Sequence, residues 1–158
     1  MESKEIDELV ESCRNEFQRT LEEGQKPPPT GFVIFDLPEE FDDVSVAVVT
    51  MSRQLHEASD VEDLARHVKN CTNSTVVAAG LIVLMPEPVW AEVFGPAKMP
   101  SDVVGILHVE YLTSSFKTWV LTLSGRKPGE WSLHATGHNT KLPRLLSDRC
   151  YGTSIGQA

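Results

Sequence analysis

Apolar and polar residues alternate along three consecutive stretches between Gly105 and Gly137. Leu107, Val109 and Tyr111 alternate with Ile106, His108, Glu110 and Leu112. Trp119, Leu121 and Leu123 alternate with Thr118, Val120, Thr122 and Ser124, and Trp131, Leu133 and Ala135 with Ser132, His134, Thr136 and His138. Successive strand residues point to opposite faces, so each stretch sets an apolar row on one side and a mostly polar row on the other. Thr113-Ser114-Ser115 and the segment Ser124 to Glu130 are rich in turn-forming residues. The pattern predicts an antiparallel three-stranded meander whose apolar face is covered by helices.

Upstream the period changes to that of a helix. Ile6, Leu9, Val10, Cys13, Phe17 and Leu21 recur every three or four residues and form one stripe, opened by Ser3 as N-cap and closed by Gly24. Lys26-Pro27-Pro28-Pro29 cannot continue that helix and forms a stiff, extended linker. Gly31 to Leu37 reads as a short central strand, almost wholly apolar. Phe41, Val44, Val48, Met51 and Leu55 recur at helical spacing and predict a helix over 39–57, although many residues between them are β-branched. The acidic cluster Glu39, Glu40, Asp42 and Asp43 would lie at the N-terminal end of that helix, where its dipole favours negative charge.

Ser59 and Glu62 have capping-box spacing and predict a second helix over 60–71. The unbroken apolar run from Thr75 to Met85 is read as a buried strand, and Glu87 to Phe94, opened by prolines and closed by Gly95, as a short helix. If that short helix lies at the surface, Trp90 is its best exposed anchor for a partner. Thr140 to Asp148 predicts a short basic helix interrupted by Pro143. Helices grouped before a run of strands indicate an α+β fold. The expected architecture is a single mixed or antiparallel sheet of about five strands including the C-terminal meander, with helices packed on one face. The chain divides into an N-terminal amphipathic helix (1–25), a proline-rich linker (26–30), an α+β domain (31–150) and a tail (151–158).

Charge changes the picture at one end only. The net charge is −9; residues 1–63 hold 5 Lys/Arg against 17 Asp/Glu, residues 64–158 hold 9 against 6. A negative total repels phosphate backbones, so nucleic acid is not an expected partner. No apolar run approaches the ~20 residues of a membrane span. The polar start Met1-Glu2-Ser3-Lys4-Glu5 is unlike a signal peptide, so the expected location is cytoplasmic. The cysteines Cys13, Cys71 and Cys150 are odd in number and contain no CxxC pair, so neither a disulfide framework nor a zinc knuckle is suggested. Cys13 and Cys71 fall on apolar helix sides, and Cys150 is expected at the surface.

Candidate chemistry is confined to the polar row of the meander. With tight hairpins, Glu110 stands opposite Thr118 and then Thr136, and His108 opposite Val120 and then His134. His108 and Glu110 would be ~7 Å apart and His108 and His134 ~10 Å. Together His108, Glu110 and His134 have the ligand types of a two-histidine, one-carboxylate centre. The reading favoured for this row is nonetheless a solvated or partner-facing sheet surface, since antiparallel sheets commonly leave one side to water. No phosphate-cradling loop, GxSxG, HExxH or calcium-loop pattern is present. The reading favoured is a small acidic protein acting by protein–protein binding, of adaptor, chaperone, inhibitor or immunity type, as a monomer or homodimer. The alternative is a small enzyme or metal-binding protein using His108, Glu110 and His134. No cofactor is implied.

Overall fold

β-branched and aliphatic runs pair side by side into one antiparallel sheet, with strands β1 (Thr30–Phe35), β2 (Val46–Thr50), β3 (Val76–Leu84), β4 (Val103–Tyr111), β5 (Phe116–Ser124) and β6 (Lys127–Gly137). The computed structural model describes residues 3–36, 46–95, 99–124, 127–138 and 142–151. Strand order is β2-β1-β3-β4-β5-β6. Three helices accompany the sheet among the described residues: α1 (Ser3–Glu22), α2 (Ala58–Asn70) and α3 (Glu87–Phe94). The fold is α+β as expected, with six strands in place of about five.

The additional strand is β2. The helix expected over 39–57 is corrected where it can be followed: Val46-Ala47-Val48-Val49-Thr50 is extended and pairs with β1. The apolar residues at helical spacing were outweighed by the β-branched ones between them, which lose side-chain freedom in a helix and fit a pleated surface. The acidic cluster Glu39 to Asp43 lies outside the described residues.

The two sides of the sheet are covered by different elements. α1 lays Ile6, Val10 and Phe17 against Phe32, Ile34, Ile82, Leu107, Val109 and Leu121. Each of these buried apolar side chains contributes ~1.5–3 kcal/mol. Trp119 and Trp131 pack at the edge of the same cluster, with Phe17 and Trp131 rings 5.9 Å apart. Gly24, at φ 82°, turns the chain out of this helix with its N–H donating to the Leu21 carbonyl. On the other side α2 and α3 bury Leu64, Val68, Val89 and Trp90 against Val33, Val83, Ile106 and Val120. Trp90 is therefore core, and the exposed anchor expected there is corrected.

The N-terminus of α2 is built on Asp60. Its Oδ2 accepts the N–H groups of His56 (2.8 Å) and Glu57 (3.0 Å), and its Oδ1 accepts from Arg53 at 2.9 Å. These bonds, the His56 amide foremost, hold the buried carboxyl below the usual carboxylate range. Glu57 is the N-cap, in place of the expected Ser59–Glu62 pair. Leu142, Leu145, Leu146 and Cys150 close this side. The expected helix over Thr140–Asp148 is absent from its described part, where Pro143 interrupts the backbone, and a short 3-10 turn follows at Asp148–Tyr151. Cys150 is buried and Cys71 exposed, the reverse of expectation, because the C-terminal segment folds back onto the sheet.

Candidate functional site

His108, Glu110, Thr118 and Val120 lie on the sheet face beneath α2, α3 and the C-terminal segment, and all four are buried. The solvated row expected there is corrected for these residues. The β4–β5 register also differs from the expected one by two positions: His108 stands opposite Thr118 and Glu110 opposite Phe116. The hairpin turns through Leu112-Thr113-Ser114, with Ser114 at φ 62° and the Tyr111 N–H donating to the Ser115 carbonyl at 2.9 Å. A three-residue loop with its last residue left-handed is a favoured hairpin geometry. Slipping by two preserves the faces while changing every partner.

His108 Nδ1 and Thr118 Oγ1 are 2.9 Å apart, and Nε2 has no hydrogen-bond partner among the described residues. The Phe116 ring centre lies 5.5 Å from the imidazole. Burial pushes this histidine down to about 4, so the ring is neutral near pH 7. Glu110 is saturated by other groups. Its Oε1 accepts from Arg144 Nε at 2.7 Å, and its Oε2 accepts the Leu145 N–H at 2.9 Å. Arg144 in turn donates to the Tyr151 hydroxyl at 3.2 Å, and the hydrogen bond it donates to Glu110 raises its guanidinium above the ordinary range. Beside this clamp the Ser147 N–H donates to Thr72 Oγ1 at 3.1 Å. His108 therefore ties two strands together, and Glu110 fastens the C-terminal segment to the sheet.

His134 is placed by a different device. Thr118 pairs with Ala135 and Trp119 with Leu133, so His134 is the extra residue of a β-bulge. Its ring packs edge-on against Trp90 and Phe94 of α3, at 5.4 and 5.7 Å between centres. The expected pairing of His108 with His134 through Val120 is corrected, because Val120 stands opposite Ser132. Among the described residues no group of three or more His, Cys, Asp or Glu could hold a metal ion. No helix among them is long and apolar enough to cross a membrane.

An open apolar groove lies on the opposite face, between α1 and strands β1 and β2 at one end of the sheet. Its volume is about 420 Å³, and Leu9, Cys13, Phe17, Phe32, Val46 and Val48 are among the residues of its wall. α1 crosses the sheet toward β6, where Gln18 donates to the Gly129 carbonyl at 3.0 Å, and does not cover the β2 end. Val48 is consequently 60% exposed. Pro27 and Pro28 wall the groove where the linker returns from α1 to β1. Sequence reasoning missed this site because it placed Val46 and Val48 on a helix. The uncharged β-branched run Val46–Thr50 was the signal that could have found it. No protein-family model, no curated protein and no solved structure matches this chain.

Proposed function

We propose that this protein acts by binding another protein, and that the groove between α1 and the β1–β2 edge is its binding surface. The observation that carries this reading is the groove itself: an apolar hollow of about 420 Å³ beside an edge strand whose Val48 is 60% exposed. An apolar hollow open to solvent, with a few polar groups at its rim, is a natural candidate for a binding site. The row containing His108 and Glu110 supports the alternative, enzymatic reading poorly, since both side chains are buried and engaged in holding strands and the C-terminal segment. His134 is occupied by ring packing against α3.

A photo-crosslinking amino acid placed at position 48 tests the reading in cells. A discrete heavier species is expected from position 48 and none from position 62, an exposed site on α2. The species should disappear when Leu9 on the opposite groove wall is changed to Asp. No discrete product from position 48 would overturn the proposal.

A further inference from the structure

We propose that the groove receives an extended, apolar segment of a partner protein flanked by Lys or Arg, and that this segment adds as a strand to the outward edge of β2, which has no strand neighbour among the described residues. The inference rests on the binding reading above and specifies its mode and the chemistry of the partner.

The two ends of the sheet differ in their capacity to accept a strand. β6 has two register shifts against β5, carries the His134 bulge and contains Pro128. Bulges and prolines are devices that block pairing at an edge. β2 has none of them. Its register with β1 runs unbroken from Thr30↔Thr50 to Ile34↔Val46, and Val46-Ala47-Val48-Val49-Thr50 contains no charge, proline or glycine. Among the described residues β2 has a strand neighbour on the β1 side only. Its outward N–H and C=O groups form a template for main-chain pairing, the basis of peptide recognition by strand addition.

Side-chain alternation then couples that edge to the groove. Every second side chain of an added strand falls on the α1 side, next to Val46 and Val48 and facing Leu9 and Cys13 across the hollow. A helical occupant would bury the same apolar wall but leave the strand edge unpaired.

Charge selects the flanks. Neither β1 nor β2 contains a Lys or Arg. On α1, Glu5, Glu8, Ser12 and Glu16 follow one another at helical spacing along the groove side, with Ser12 and Glu16 lining it. Arg19 is paired with Glu16. A second copy of the chain joined through β2 would bring two such acidic helix rows together, whereas a basic-flanked segment complements one.

The test uses the full chain and a synthetic peptide of alternating valine and threonine with two lysines at each end. Binding is read by fluorescence anisotropy, and its place by amide shifts of Val46–Thr50. The lysine peptide should bind and shift these amides. Replacing the lysines by glutamates should weaken binding about fivefold or more, with the difference shrinking at high salt. N-methylation of alternate peptide amides should abolish it, and Val48→Asp should weaken it about tenfold.

Equal binding of the N-methylated peptide, indifference to the charge swap, or preference for a basic amphipathic helical peptide would each overturn the inference. So would a dimer, seen by sedimentation, that Val48→Lys dissociates. Loss of all peptide binding with the position-48 crosslink intact sinks the strand-addition mode alone; loss of both sinks the groove reading as well.

Discussion

His108 shows how a residue with a familiar chemical repertoire becomes part of the frame. Its imidazole is fully buried, bonded through Nδ1 to Thr118 and neutral near pH 7. In the unfolded chain it takes up a proton near 6.5, in the folded one only near 4. Between those values the unfolded state binds more protons, so stability is greatest above pH 6.5 and falls as the pH drops toward 4, by about 3 kcal/mol from this group. Urea unfolding at pH 7 and 4.5 should show that slope. His108→Leu should lower stability at pH 7, by leaving the Thr118 hydroxyl unpaired, and flatten the slope. The depressed carboxyl of Asp60 loses its contribution only at more acid pH, which separates the two groups. Burial of His108 was partly legible: Ile106, Val120 and Leu112 share its row and are poor candidates for a wetted face. A second constraint at this scale is Gly80, where an added Cβ would stand 2.3 Å from the Phe32 ring and 2.9 Å from the His108 carbonyl. Gly80→Ala should cost ~1–3 kcal/mol by overpacking, measured by urea unfolding.

α1, α2 and α3 were readable nearly to their ends, because stripes at helical spacing, prolines at helix starts and glycines beyond helix ends agree with one another. β2 was misread because its apolar residues satisfy two periods at once, and pairing with β1 decides between them. The hairpin register was not legible, since nothing in Thr113-Ser114-Ser115 announces that Ser114 adopts the left-handed conformation. α1 is structural over most of its length: Phe17→Ala should cost ~3–5 kcal/mol, whereas Glu11→Ala on its exposed side should change the urea midpoint little. The C-terminal segment is an element of its own, fastened by one carboxylate. Glu110→Ala leaves the Leu145 N–H without its acceptor, a loss of ~1–3 kcal/mol. Hydrogen exchange should then quicken at the Leu145 and Ser147 amides before it does in β3.

Taken whole, the molecule is one sheet with a cover on each side, and this double burial is what alternation alone could not reveal. A strand with mixed rows looks half-exposed until the elements that reach its second face are known, and here those include residues 142–150, where the sequence suggested only a short basic helix interrupted by Pro143. Charge is the other property of this scale. Because residues 1–63 carry an excess of 12 negative charges, raising the salt from about 10 to 150 mM should raise the melting temperature by screening their repulsion. The pinned C-terminal segment has a further consequence, in time. Strand order nearly follows chain order, so the hairpins can zip from local contacts. Ser147 must return to Thr72, 75 residues away, to close the α2–α3 side. During synthesis Leu64, Val83 and Ile106 are thus made long before Leu145 and Leu146 arrive to cover them. A nascent chain halted before position 142 would hold its strands already paired and one side of its core still open to chaperones.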